Sequence, residues 1–336
     1  MTRKQLRDSL APFRKKSFAT PLAHLALDTA LWLAAFALAL LPESIAFNTI
    51  GSALMALATS RLFIIGHDAC HLSLTPSRNL NRVIGRLCFL PSYTPYSLWE
   101  VGHNVAHHGY NNLRGHEYVW EPMSPQQYAA YPRWRRALER FYRGGAGFWL
   151  YYMIELWWKR LYFPSRKYAP VRRRVFTRDS LLVSAFAIAH VAFVIWIAVY
   201  FDRTLLAALC VGVLLPFVFW HMCVGFVTYC QHTHPGISWY GNKADWTNAK
   251  AYISATAHAH FSLPFGALFH WIFEHPAHHV DVSIPFYHLR DAQAALHAQG
   301  NEHSQIVQMT WCEYWCATRT FALFDFESGR WLAFPQ

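Results

Sequence analysis

Long apolar runs alternate along this chain with polar, histidine-bearing stretches. Four runs are long enough to cross a bilayer as helices, which takes about 20 residues. They cover 22–41 (LAHLALDTALWLAAFALALL), 45–65, 181–201 and 204–230. Within each pair the link is short, PESIAF in the first and DRT in the second, so the pattern predicts two helical hairpins. Two further apolar stretches are shorter and interrupted. VIGRLCFLPSYTPYSLWEV (83–101) is broken by Pro91 and Pro95, and GFWLYYMIELWWKRLYF (147–163) carries Lys159 and Arg160 near its end. These predict helices lying at the membrane surface.

Charge decides which way the hairpins point. The two hairpin links contain one basic residue, Arg203. The opposite side holds Arg3, Lys4, Arg7, Arg14, Lys15 and Lys16 before the first span, and a dense basic set between Arg78 and Arg178. The positive-inside bias then places both termini, 66–180 and 231–336 in the cytoplasm. The expected fold is therefore all-α and integral to the membrane. Four transmembrane helices in two hairpins carry a cytoplasmic helical cap built from 66–180 and 231–336. Because both hairpins lead into that cap, residues 1–336 are expected to act as a single domain.

Composition agrees. Charged residues make up 15% of the 336, against about 25% for soluble proteins, and 54% are hydrophobic. The 15 tryptophans suit a protein with two wet–apolar boundaries. The net charge of +11 carries no nucleic-acid recognition motif with it, so nucleic acid is not an expected partner. Seven cysteines show no framework spacing and are read as reduced thiols. MTRKQLRDSLAPFRKK is basic, but no short apolar stretch with a cleavage site follows, which argues against a signal peptide.

The chemistry lies in the histidines, 20 in all. HDACH places His67 and His71 at i, i+4, just past the second span. HNVAHH holds His103, His107 and His108. HPAHH holds His275, His278 and His279, with Pro276 tolerable in a first helical turn. YCQHTHP sets His232 and His234 just past the fourth span. Helical residues at i and i+4 share a face, and every cluster falls on the predicted cytoplasmic side. Eight or nine imidazoles exceed what one ion uses, since a zinc site closes with about four ligands. Two ions with four or five ligands each would use them all, and imidazole suits iron, copper, zinc or nickel. At the ends of spans that could sheath an apolar chain, a two-metal site suggests oxygen chemistry on that chain, for which iron is the usual metal. Asp68, Glu100, Glu117, Glu274 and Asp281 are acids near these boxes that could accept from ring N–H groups, with Asp68, Glu274 and Asp281 the preferred candidates. The other histidines are expected to be structural. His24 and His190 lie inside spans, and His258, His260, His288, His297 and His303 read as surface residues. His221 and His270 stay open.

These boxes, H-x3-H, H-x3-HH and H-x2-HH, resemble those of the integral-membrane fatty acid desaturases. VTYCQHTHPGISWY (227–240) is similar to a segment of the Δ12 or ω-6 branch, and agreement runs from about residue 60 to 300. The resemblance implies a cytoplasmic non-haem di-iron centre, O2 as co-substrate and a cis double bond as product. It also implies a fatty acyl chain as substrate and an acidic electron donor such as a ferredoxin or a cytochrome b5-like protein. Carried over, the ligands are His67, His71, His103, His107, His108, His275, His278 and His279, with His232, or alternatively His234, as the ninth. The second box departs from the plant pattern, because three residues rather than two separate His103 from His107. Other oxidations on such a centre share the boxes and stay open: hydroxylation, acetylene formation, ketolation and alkene-forming decarboxylation. A metal transporter would want more polar residues along the spans than His24, Asp28, His190 and His221. A zinc hydrolase would want a general-base carboxylate beside few ligands.

Overall fold

The computed structural model describes residues 3–167, 169, 171–249, 256–261, 265–299 and 305–336. A short helix α1 (Arg3–Ser9) comes first. Then come α2 (Ala19–Leu40), α3 (Ile45–Cys70), α4 (Arg78–Phe89), α5 (Arg174–Tyr200) and α6 (Leu205–His232). Two further helices near the carboxyl end are α7 (His275–Val280) and α8 (Phe286–Ala298). α2, α3, α5 and α6 are the four runs expected, each long and apolar enough to cross a membrane, and the chain is a multi-pass membrane protein. The third span begins earlier than its apolar run because the acid in its first turns is satisfied. Asp179, buried, accepts from Arg86 Nε at 2.8 Å and from the Ser97 N–H at 3.0 Å. The sequence pattern did not announce four short strands. β1 (Ala257–His260) pairs in parallel with β2 (Gln305–Gln308), and β3 (Leu323–Asp325) pairs antiparallel with β4 (Arg330–Leu332).

The residues gather into two compact units, one of Lys16–Trp99 with Met153–Val224 and one of Met1–Lys15, Glu100–Tyr152 and Gly225–Gln336. The first is a helical core with its polarity turned inside out. Leu33, Ile188, Val199 and Leu206 are more than half exposed, whereas Asp28, His190 and His221 are buried. Apolar surface of that extent is what a lipid phase covers, and intramembrane polar groups turn inward to find partners. Asp28 Oδ1 accepts from Arg61 Nε at 2.6 Å, joining α2 to α3. Breaking such a pair from one side leaves a buried charge and costs about 3–5 kcal/mol, so it sets how the two helices register. Nearby, Trp32 Nε1 donates to Thr59 Oγ1 at 3.1 Å. Gly51 lets the helices approach closely, since a Cβ there would lie 2.4 Å from the Ala39 nitrogen. Residues 210–214 of α6 wind as a π-helix, and the Val211 carbonyl accepts from Ser52 Oγ at 2.6 Å. His190, expected to be structural, has its Nδ1 2.6 Å from the hydroxyl of Tyr93, in the turn that follows α4. His221 donates through Nδ1 to the Phe217 carbonyl of its own helix.

In the second unit, α7 and α8 share an apolar cluster with α1: Leu6, Leu10, Ala277, Val280, Ile284, Leu289, Ala292 and Leu296. Aromatic side chains fill much of the rest, with Phe148 stacked on Tyr229 at 3.8 Å and Trp120 edge-on to Tyr151 at 4.7 Å.

Candidate metal centre

The second histidine box does not form an ordinary α-helix. Gly102–His107 is a π-helix, and the His108 N–H bonds to the His103 carbonyl, five residues back. In an α-helix, positions five apart point about 140° away from each other. The wider π turn brings them onto one side, so His108 Nε2 lies 3.1 Å from His103 Nε2. Gly102 at the start of that turn is required by space, because a Cβ would sit 2.3 Å from the Tyr118 ring.

On α7, His275 and His279 follow α-helical spacing, and their Nε2 atoms are 3.0 Å apart. Four nitrogens, one each from His107, His232, His275 and His279, lie within 4.8 Å of one another, and all four residues are buried. His232 ends α6, where Gln231 Nε2 donates to the Ile272 carbonyl at 2.8 Å and holds that terminus. His234 stands outside the group and accepts from the Gly236 N–H. A second set forms in the same unit. His278 Nε2 lies 3.1 Å from His108 Nε2, which also faces His103 Nε2. In the other unit, the rings of His67 and His71 are 4.7 Å apart at the carboxyl end of α3, and His67 Nδ1 lies 3.0 Å from Asp68 Oδ1.

This donor set fits metal ions. A neutral imidazole nitrogen offers either one proton or one lone pair, so His108 Nε2 cannot satisfy both His103 and His278 by hydrogen bonding. One cation accepts all three lone pairs. With metal–nitrogen distances of about 2.0–2.1 Å, neighbouring ligand nitrogens fall about 3.0–3.4 Å apart, near the spacing seen here. The proton state suits this as well. Burial, followed by the repulsion of His275, His107, His278 and His232, holds His279 well below the usual imidazole range, in its neutral ligating form.

The groups behind the clustered imidazoles differ in part from those expected. Glu117 takes the principal role. Its Oε1 lies 2.7 Å from His107 Nδ1 and accepts from the N–H groups of Tyr118 and Val119, each at 2.8 Å. A proton on Nδ1 leaves the other ring nitrogen of His107 free to ligate. Asn111, overlooked because it is not acidic, places Nδ2 3.1 Å from His279 Nδ1. Asp68 Oδ1 is the partner of His67 Nδ1. The other two preferred acids have different partners: Glu274 pairs with His258, and Asp281 accepts from Arg7, Arg14 and Ser283. His258 is therefore a correction, since it is buried by that pairing and is not a surface residue. His260 is exposed as expected and His288 and His297 are half-buried, while His303 lies outside the described residues. His270, buried with φ 47°, rests on the Phe286 ring at 4.6 Å.

A fatty acid desaturase family model matches residues 43–311. The chain belongs to the fatty acid desaturase family. It is accordingly an oxidoreductase, a membrane fatty acyl desaturase. It is 28% identical over 286 residues to an sn-1 oleoyl-lipid 12-desaturase of Picosynechococcus sp., covering 82% of this chain and 76% of that one. Against an sn-1 acyl-lipid omega-3 desaturase (ferredoxin) of Synechocystis sp. it is 29% identical over 299 residues, 88% of this chain and 80% of the relative. A chloroplastic omega-6 fatty acid desaturase of Brassica napus is 27% identical over 254 residues, 76% of this chain, and the match spans 55% of that relative's length.

Proposed function

We propose that this desaturase inserts a double bond into the acyl chain of a membrane lipid, using O2 and two electrons at a non-haem di-iron centre. The observation that carries this reading is the convergence of imidazole nitrogens in two sets within one unit, one of them wholly buried. His107, His232, His275 and His279 would hold one iron. His103, His108 and His278 would hold the other, and His67 and His71, in the other unit, are further ligand candidates. Iron with O2 supplies the oxidant that an unactivated methylene requires, since no acid or base in a protein can remove such a hydrogen as a proton. In the balance, two hydrogens leave the chain and, with two electrons and two protons, turn O2 into two waters. The residues of this chain contribute placement. Glu117 fixes the proton and orientation of His107, Asn111 braces the His279 ring at Nδ1, and the burial of the four imidazoles keeps bulk water away.

An esterified acyl chain is favoured because the Picosynechococcus and Synechocystis relatives are named as oleoyl-lipid and acyl-lipid desaturases. Expression in a host that makes only saturated and monounsaturated lipids, followed by mass-spectrometric profiling of intact lipids, should reveal a dienoic acyl chain. Hydroxylated, acetylenic or shortened products would move the reading to a related oxidation. No new lipid from iron-loaded protein with a working reductant would end it.

The charge asymmetry supports a cytoplasmic active site and cytoplasmic termini. Reporters fused at Gly144 and at the C-terminus should both signal cytoplasm, and a tag between Pro42 and Ala46 the opposite side. A cytoplasmic signal from that tag would overturn the orientation. The electron donor is proposed to be acidic, of the ferredoxin or cytochrome b5-like kind, attracted by basic residues. Of these, Arg133, Arg172, Arg173 and Arg174 are exposed. Arg135 and Arg143 instead clasp Glu139, at 2.6 and 3.1 Å, and belong to the fold. Charge reversal at the exposed set should lower turnover with the protein donor in a salt-dependent way while sparing turnover with a small reductant.

A further inference from the structure

The basic segment 3–14 does more in the structure than carry charge. Leu6 and Leu10, one helical turn apart, are fully buried, in one cluster with Ala277 and Val280 of α7 and with Leu289, Ala292 and Leu296 of α8. Two arginines from this segment converge on one carboxylate. Arg14 Nε donates to Asp281 Oδ2 at 2.5 Å, and Arg7 Nη2 lies 3.4 Å from Oδ1. Arg14 also donates to the Arg7 carbonyl, tying the segment to itself. Asp281 has no exposed side-chain surface and stands two residues after His279.

The helix receiving these contacts cannot hold itself. α7 has six residues, too few for a stable isolated helix, and its N-cap, Glu274, makes no side-chain capping bond. The Ala277 N–H is met from outside by Gln293 Oε1 of α8 at 2.9 Å. Whatever packs on α7 therefore decides where His275, His278 and His279 point.

We propose that residues 3–14 form a clamp that positions the third histidine box, with Leu10 and Arg14 as its positioning residues. The proposal rests on reading those three histidines as metal ligands. Basic charge by itself would serve topology equally well through Lys4 and Lys15, which are exposed.

The test compares two full-length double variants that lose the same charge, Arg7→Gln/Arg14→Gln and Lys4→Gln/Lys15→Gln. Hydrogen exchange of the amides from 277 to 283 is measured in metal-free protein. Metal release to a chelator, and the ligand-field spectrum after Co(II) loading, are measured in loaded protein. The clamp predicts that only the arginine variant exchanges at least tenfold faster. It also predicts about 10–100-fold faster metal release from that variant alone, the range seen when groups behind ligands are removed, with an altered Co(II) spectrum. Arg14→Lys should recover part of both. If the arginine variant fails to insert, Leu10→Ala carries the same measurements. Wild-type exchange and release in the arginine variant, or equal changes in both doubles, would overturn the clamp. Faster exchange confined to the arginine variant, in a protein whose wild type holds no metal, would sustain the clamp and refute the metal reading instead.

Discussion

Purified His279→Ala protein is expected to lose metal and desaturation together, while His234→Ala keeps both. His279 sits inside the four-imidazole group, with Nε2 3.0 Å from His275 Nε2 and its ring 5.0 Å from that of His107. Removing a direct ligand should cost more than the roughly 10–100-fold in metal affinity typical of groups behind the ligands, so the loss expected is over 100-fold. His234 is only two residues from His232, yet its ring accepts from the Gly236 N–H and stands apart from the group. Metal content by mass spectrometry, alongside the lipid profile, checks both variants, with circular dichroism to show that the helices persist. A His279→Ala protein with unchanged metal and product would refute the four-histidine site.

Glu117→Ala should be nearly as damaging although its carboxylate is not a proposed ligand. It is buried, and it serves His107 Nδ1, the N–H groups of Tyr118 and Val119 and, through Oε2, the Asn112 N–H at 3.3 Å. Truncation leaves these donors without an acceptor, and each buried orphan costs about 1–3 kcal/mol. The expected result is a clear fall in thermal stability together with a 10–100-fold weaker hold on metal. Glu117→Gln should be milder, since one oxygen remains and the amide can keep the contacts made by Oε1. Thermal melts of metal-free protein separate the folding effect from the metal effect. Wild-type melting and metal retention in Glu117→Ala would show that the carboxylate is dispensable.

Much of the molecule was readable before any coordinates because short-range rules govern it. A run of some 20 apolar residues has few ways to exist other than as a spanning helix, and α2, α3, α5 and α6 follow the four runs closely. His67 and His71, and His275 and His279, were matched by spacing because an α-helix superposes positions four apart. The histidine count pointed to two ions, and the geometry accommodates that number.

Spacing failed where the backbone departed from the α-helix or where the partner was distant in sequence. His103 and His108 meet only because Gly102–His107 winds as a π-helix, and no pattern of polar and apolar residues marks that turn. His232 was preferred to His234 only through the resemblance; in the structure α6 ends at His232, held by Gln231, and His232 rather than His234 joins the four-imidazole group. Acids beside the boxes were the natural acceptors, but proximity in sequence favoured Glu274 and Asp281, which pair elsewhere, over Glu117, which meets His107. Asp28 was visible as a polar residue in a span, while its partner Arg61 lies 33 residues away. Arg14 and Asp281 are separated by 267 residues. The sequence by itself determined the spans, the boxes and the imidazole chemistry they offer, because these depend on hydrophobicity and on repeats within one or two turns. Which nitrogen faces which, which carboxylate stands behind an imidazole and what packs on α7 were decided only by the tertiary structure, because they depend on how distant segments pack, which local spacing does not encode.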